Sequence, residues 1–363
     1  MKLARPALAL VSLTTALVGV ELMARSMSPS PAVGAVRRAS VRGVLFQKDP
    51  TLSHAPIPGA SLTVWEPEWQ STVAFNTFGM RGTDPGRLPK NGRRVLVLGD
   101  SFTLGMQVDD PHTYPRQLEA LLSETAPTHV WNAGVDDYGT TQATARARQL
   151  LARGLRFDAI VLTVFMGNDL NDNLRSAPGR HGPPSATTAA PIPAPTLLAP
   201  AWARVLAARW TSGSSADHRA QVRADFQLWC DDNTLTQALP ATRSALASLA
   251  SLARTHDTPL VIALAPPVWV RDPTIGQETA DWLGLTGFDP TRVPAALTAA
   301  APAGVPVVDL TPALRTAHNT APVHFRTDPH WTAHGHEAVA RALQPAVDAA
   351  LTRPDPGPPG DSG

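Results

Sequence analysis

The pattern of apolar and polar positions changes character near residue 92. From 27 to 91, prolines and glycines recur without a sustained period, and the segment reads as an irregular tether and lead-in. Beyond it, short aliphatic runs alternate with longer amphipathic ones. The aliphatic runs are VLVLG at 95–99, HVWNAG at 129–134, DAIVLTVF at 158–165, PLVIALAP at 259–266 and VPVVDL at 305–310. Most lack a clean polar/apolar alternation, which predicts strands covered on both faces. The intervening YPRQLEALLSETA, TQATARARQLLARG and ATRSALASLASLARTH predict helices.

Strand and helix repeated in this way predict an α/β fold with an open parallel sheet, because parallel neighbours need crossover connections. Five strands suit a flavodoxin-like order, a three-layer α/β/α sandwich with a central five-stranded parallel sheet. In such sheets ligands sit beyond the carboxyl ends of the strands, so the loops there are where chemistry is expected. One excursion breaks the rhythm, from 171 to 240. Its first part, SAPGRHGPPSATTAAPIPAPTLLAP, is too rich in Pro, Ala and Thr to pack, while AWARVLAARW and HRAQVRADFQLWC suit amphipathic helices. A loop of that length is a lid, a cap or a disordered insertion, and a mobile cap over the site is expected. The domain then spans 92–350, with 351–363 a disordered tail.

Composition narrows the classes of partner. Of 363 residues, 43% are hydrophobic and 17% charged, and 31 Lys+Arg nearly cancel 30 Asp+Glu. The arginines are scattered among acids and alanines, which excludes nucleic acid as a partner. Cys230 is the single cysteine, which excludes an intrachain disulfide framework and a cysteine-based zinc site. The amino-terminal 1–26 carries Lys2 and Arg5, an apolar run from 7 to 20, then Glu21 and Arg25, and reads as an export signal. The run is short for a membrane span, which needs roughly 20 residues, yet no small-x-small cleavage site follows Val20. Signal peptide and retained membrane anchor both fit, with the anchor favoured. A periplasmic or extracellular location is expected.

Four strand-end loops carry candidate chemistry: GDSFTLG, NAGVDDYGTTQ, FMGNDLNDN and TDPHWTAHGHEAVA. In the first, the apolar run stops at Gly99 where the chain must turn, with Asp100 available to hold the turn and Ser101 opening the next segment. A hydroxyl is a weak nucleophile at its own pKa and needs a base, an orienting acid and oxyanion donors. Thr103 stands where an α/β-hydrolase elbow has glycine, so that motif is excluded. Ser101 also reads as a helix N-cap, and GNDL as a simple turn. The histidines His324, His330, His334 and His336 invite a metal reading, since His330 and His334 have the spacing that shares one helical face. Against it, His334 and His336 surround the start of the last helix, where Gly335 permits close packing. Asp109, Asp110, Asp136, Asp137, Asp169 and Asp172 read as solvated loop acids, some of them lining a groove. Trp331 reads as packing behind the histidine, or as a platform for a sugar.

Together and in this order the four blocks resemble the SGNH hydrolases, the GDSL-type esterase and lipase superfamily, over about residues 75–343 with 171–240 unmatched. FNTFGMRG, upstream of the first strand, is similar to a lead-in of exported members. The resemblance implies the SGNH hydrolase fold, with Ser101 as nucleophile, His330 as general base and Asp328 as the acid that orients it. It assigns the oxyanion donors to the backbone N–H of Ser101, the backbone N–H of Gly134 and the side-chain amide of Asn168. Glycine suits the second task because no side chain blocks approach, and an amide suits the third because it donates without titrating. In many relatives the acid lies three residues before the histidine. The shorter Asp-Pro-His-Trp spacing resembles the alginate O-acetyltransferase-like branch. No metal and no cofactor are implied. The function expected is a serine esterase cleaving a small acyl ester, chiefly acetyl, on a carbohydrate or lipid through an acyl-enzyme. The alternatives are an envelope glycan O-acyltransferase and a non-catalytic carbohydrate-binding relative. The partner expected is a small acyl ester or O-acylated glycan, with the amino-terminal segment as membrane tether.

Overall fold

A computed structural model describes residues 41, 43–66, 68–85, 92–175 and 215–352. The segment 1–26, the Pro/Ala-rich part of the insertion at 176–214 and the tail from 353 lie outside the described residues. Among the described residues no helix is long and apolar enough to cross a membrane. The chain divides into two units, one of Met1–Phe46 with Ser185–Gln221, the other of Gln47–Pro184 with Val222–Gly363. Little of the first is described beyond a helical stretch at 43–45 and the beginning of a helix at Ser215. The candidate site belongs to the second.

The lead-in departs from the irregular tether expected of 27–91. Strands β1 (Phe46–Asp49) and β2 (Ser53–Pro56) form one two-stranded sheet, and β3 (Ser61–Glu66) and β4 (Trp69–Ala74) form another. The second pair is antiparallel and in full register from Ser61↔Ala74 to Glu66↔Trp69. The cause is a period-two pattern inside a proline-rich setting: Val64, Ser71 and Val73 are buried on one face while Ser61, Thr63, Gln70 and Thr72 face outward.

Five further strands build the central sheet: β5 (Arg93–Leu98), β6 (Thr128–Asn132), β7 (Ala159–Phe165), β8 (Leu260–Ala265) and β9 (Val307–Asp309). All neighbours are parallel, in the order β6-β5-β7-β8-β9. This is the flavodoxin-like order, and its reversal lies beside β5, where the carboxyl-end loops of β5, β6 and β7 diverge.

Helices cover both faces. They run α1 (Ser101–Leu104), α2 (Tyr114–Ser123), α3 (Thr140–Ala152), α4 (Asp169–Arg175), α5 (Ser215–Gln227), α6 (Asp232–Thr255), α7 (Val268–Arg271), α8 (Pro273–Leu283), α9 (Arg292–Ala300), α10 (Thr311–His318) and α11 (Ala333–Leu351). Successive strand residues point to opposite faces. Leu96, Leu98, Ile160, Leu162, Ile262 and Leu264 therefore meet Ala147 and Leu150 of α3, Leu249 of α6 and Leu297 of α9 in one core. Val95, Val97, Val161, Val261 and Ala263 meet Leu118 of α2, Leu314 of α10 and Val339, Leu343 and Val347 of α11 in the other. With both faces dry, the inner strands have no solvent side, and the sequence shows unbroken aliphatic runs. Each of these valines and leucines contributes about 1.5–3 kcal/mol relative to exposure.

The expected end of the insertion at 240 also shifts. Helix α6 begins at Asp232, capped by the Asp231 carboxylate on Asn233 N and Thr234 N, and runs through Pro240. A buried stripe from Leu235 to Ala253 holds it on the sheet, and this packing overrides the break that proline ordinarily makes. Phe226, Leu228 and Trp229 just before it are buried as well.

Candidate active site

Ser101 is the first residue of α1, separated from the end of strand β5 by Gly99 and Asp100. Its own side chain does not cap the helix. Asp100 does, with Oδ1 accepting from Phe102 N at 2.9 Å. That leaves the Ser101 hydroxyl for another partner, and His330 Nε2 lies 2.8 Å from Oγ. On the far side of the ring, Nδ1 lies 2.5 Å from Asp328 Oδ1, which also accepts the His330 backbone N–H at 3.0 Å. The Ser101–His330 contact joins parts of the chain 229 residues apart.

His330 and Asp328 sit on a narrow loop. Phe325 N donates to His330 O at 3.1 Å, and His324 and Trp331 form an antiparallel bridge beneath. The loop is fixed below by the fully buried Trp331, which meets Phe102 edge-on at 4.9 Å and His336 at 5.6 Å. Phe102 also lies 4.7 Å from the His330 ring. Of the two readings of Trp331, packing behind the histidine is the one these contacts show. Gly335, near the start of α11, passes the loop so closely that a Cβ there would lie 2.2 Å from Val323 O.

Burial pulls the His330 pKa down, but the hydrogen bond and charge of Asp328, with more distant Asp100 and Asp136, raise it above the ordinary histidine value. Burial likewise pushes Asp328 up, and the same bond and charge, together with the Trp69 indole, hold it below the usual carboxylate range. The pair thus favours an imidazolium beside a carboxylate, the form reached after a proton leaves a hydroxyl.

The oxyanion donors implied by resemblance lie on neighbouring strand ends. Among the described residues the Ser101 N–H makes no hydrogen bond. Asn168, after β7, has a buried Oδ1 without a partner and an amide nitrogen uncommitted among the described residues. Gly134, after β6, differs from the expectation: its N–H donates to Asn132 Oδ1 at 3.0 Å. The absence of a side chain there serves packing, since a Cβ would lie 2.5 Å from Leu104 N. Asn132 completes the brace, its Nδ2 donating to Thr103 O at 2.8 Å.

The loop acids divide. Asp109 and Asp137 are exposed, and Asp110, Asp136 and Asp172 are half-buried. Asp169 is no solvated acid. It is 2% exposed, and its Oδ2 accepts from Phe165 N at 3.0 Å. Burial raises it well above the carboxylate range, with the charge of Asp100 adding to the shift, and burial pushes Asp100 itself up to about 7. GNDL is therefore a helix start whose aspartate ties β7 to α4.

The four histidines do not converge. His334 Nε2 meets Ala317 O and Thr320 Oγ1, His336 Nδ1 accepts from Tyr114 N, and His324 is buried with neither ring nitrogen paired. Burial lowers both His324 and His336 to about 3, so both are neutral. Among the described residues no group of three or more His, Cys, Asp or Glu is placed to hold a metal ion.

Several contributors carry no signal of their role in the sequence. Trp69 Nε1 and Gln107 Nε2 donate to Asp328 Oδ2 at 3.2 and 3.4 Å, and Asn132 braces the turn through Thr103 O. Arg81, within FNTFGMRG, is 3% exposed and gives its guanidinium to Leu104 O and Val108 O at 2.8 and 2.6 Å, tying the lead-in to the loop after α1. A lone arginine after a glycine-rich turn carries no signal of such burial.

Residues 228–358 match the family described as "SGNH hydrolase-like domain, acetyltransferase AlgX". The matched stretch includes Asp328 and His330 but not Ser101. Among solved structures the chain is similar to a lipase/acylhydrolase from Enterococcus faecalis, at 14% identity over 72% of this chain and 99% of that one, TM-score 0.39. It is similar to a member of the lipolytic protein G-D-S-L family from Veillonella parvula, at 14% identity over 71% and 99%, TM-score 0.35. A catalytic mutant of an acetylxylan esterase from Geobacillus stearothermophilus matches at 15% identity over 74% and 100%, TM-score 0.37. Comparison with curated proteins gives no match. Over residues 228–358 the chain is thus similar to an SGNH hydrolase-like domain.

Proposed function

We propose that the protein is a serine esterase that cleaves a small acyl ester, chiefly acetyl, from a carbohydrate or lipid. The observation that carries this reading is the continuous relay from Ser101 Oγ through the His330 ring to Asp328, at 2.8 and 2.5 Å. In the first half-reaction Oγ attacks the ester carbonyl carbon while His330 Nε2 takes its proton. Asp328 stabilises the imidazolium and fixes the tautomer. Negative charge gathers on the carbonyl oxygen, where the Ser101 N–H and the Asn168 amide are the donors uncommitted at rest. Such a donor is worth about 3–4 kcal/mol of transition-state stabilisation. His330 then returns the proton to the leaving alcohol, whose C–O bond breaks to give an acyl-Ser101. Water, deprotonated by His330, attacks that ester and regenerates the hydroxyl.

The second reading is transfer of the same acyl group to a glycan hydroxyl. The family match to an acetyltransferase domain and the short Asp328–Pro329–His330 spacing favour it. The two readings share the acyl-enzyme and differ only in the acceptor. The charged-then-apolar amino terminus supports an exported protein, a setting in which an O-acylated envelope glycan would be met.

A chromogenic acetyl ester tests the shared step. Wild type turns over and Ser101→Ala falls by at least about a thousandfold; equal turnover by the two would overturn the proposal. With an added glycan acceptor, acyl transfer to it supports the second reading, and hydrolysis unaffected by any acceptor supports the first.

A further inference from the structure

The β3–β4 hairpin touches both halves of the candidate site. On one side it reaches the loop that follows α1. Ser71 Oγ donates to Met106 O, and Thr72 N donates to Asp109 Oδ1 at 2.9 Å. At its tip it reaches the loop bearing Asp328 and His330. Glu68 Oε2 accepts from both Thr327 N and Thr327 Oγ1 at 2.7 Å, and Glu68 Oε1 lies 3.5 Å from Arg326. Trp69, beside it, donates its indole N–H to Asp328 Oδ2.

The loop needs this support. Between the Phe325–His330 bond and the far end of the turn, Arg326, Thr327 and Pro329 are exposed. The internal bonds from Asp328 to His330 fix those two relative to each other but not relative to Ser101. Gln107 adds one longer bond, at 3.4 Å. Glu68 grips the backbone one residue before Asp328, and Trp69 grips the carboxylate oxygen that His330 does not use. A hairpin seated on the serine's loop and holding the histidine's loop sets the separation between the two. Misplacement of reacting groups by about 1 Å is worth on the order of a hundredfold in rate.

We propose that the tip of the β3–β4 hairpin, through Glu68 and Trp69, is a positioning element that keeps Asp328 and His330 aligned on Ser101. This rests on the esterase reading for its kinetic consequence but not for its structural one. Neither side chain touches the reacting atoms, so both are positioning residues.

The test uses the full chain and three variants. Glu68→Ala removes both bonds to Thr327, and Trp69→Phe keeps an aromatic ring but loses the donor. Glu68→Gln retains an oxygen able to accept both bonds. On the chromogenic acetyl ester, Glu68→Ala and Trp69→Phe lower kcat by about tenfold with KM within about twofold, and Glu68→Gln recovers most of the loss. Independently of turnover, the low-field proton resonance of the His330 Nδ1–H···Asp328 bond broadens or moves upfield in the first two variants and returns in Glu68→Gln. Should Glu68→Ala fail to fold, Trp69→Phe decides. Wild-type kcat and an unmoved resonance in Trp69→Phe and any folded Glu68→Ala would overturn the proposal. If wild type shows no Ser101-dependent turnover, the esterase reading fails, and the resonance alone then decides the role of the hairpin.

Discussion

At the scale of single residues, the site depends on which partner each polar group has left over. Ser101 is free to meet His330 because Asp100 has taken the helix-capping task that a serine in that position commonly performs. This sharing of labour is partly legible, since Gly-Asp-Ser supplies two candidate caps where one is needed. The commitment of the Gly134 N–H to Asn132 is not legible, because it depends on a side-chain rotamer within a buried turn. The raised pKa of His330 gives a kinetic expectation with a definite sign. Below its folded value the ring is protonated and cannot take the Ser101 proton, so kcat/KM for an acetyl ester rises with pH. Its midpoint lies above the ordinary histidine value of about 6.5. Asp328→Asn lowers that midpoint and cuts the rate by roughly 10³- to 10⁴-fold. A pH–rate profile checks both, and a wild-type midpoint below the ordinary value would contradict the arrangement. Stability has the opposite trend: the contribution from charged His330 beside Asp328 is complete below the unfolded value and is lost as pH rises through the folded one.

At the scale of elements, the central strands are readable because burial on both faces leaves unbroken, mostly aliphatic runs for the sequence to show. The boundaries of β5, β7 and β8 fall within two residues of the apolar runs that predicted them. The β3–β4 hairpin is hidden in the sequence for a corresponding reason. Its period-two pattern spans only six residues per strand, and prolines and glycines on either side suggest irregular chain. Helix α6 is legible only from 241 onward, because Pro240 reads locally as a break while the stripe that holds the helix is a tertiary effect. Where elements meet most closely, glycine is required. A Cβ on Gly335 would lie 2.2 Å from the Val323 carbonyl oxygen, so α11 and the histidine's loop would have to part. Gly335→Ala is therefore expected to destabilise the fold by about 1–3 kcal/mol and to lower turnover, as denaturant unfolding and the ester assay would show. An unchanged unfolding midpoint would contradict this close approach.

At the scale of the whole unit, the parallel topology does what no single loop can. It brings the ends of β5, β6 and β7 side by side at the point of reversal, so that Ser101, Gly134 and Asn168 emerge from neighbouring strands although they are dispersed in sequence. The last helix and the loop before it then return His330 to the same edge. The order of the motifs made this convergence legible, whereas the buried pair Asp100 and Asp169, the arginine bridge of Arg81 and the hairpin clamp became visible only in three dimensions. If one hydroxyl on this surface is a nucleophile, covalent trapping will find it. Treatment with an alkyl fluorophosphonate, followed by intact-mass measurement and peptide mapping, is expected to give a single adduct on Ser101 that is lost in His330→Ala. An unmodified protein, or an adduct on another residue with Ser101 untouched, would contradict the account.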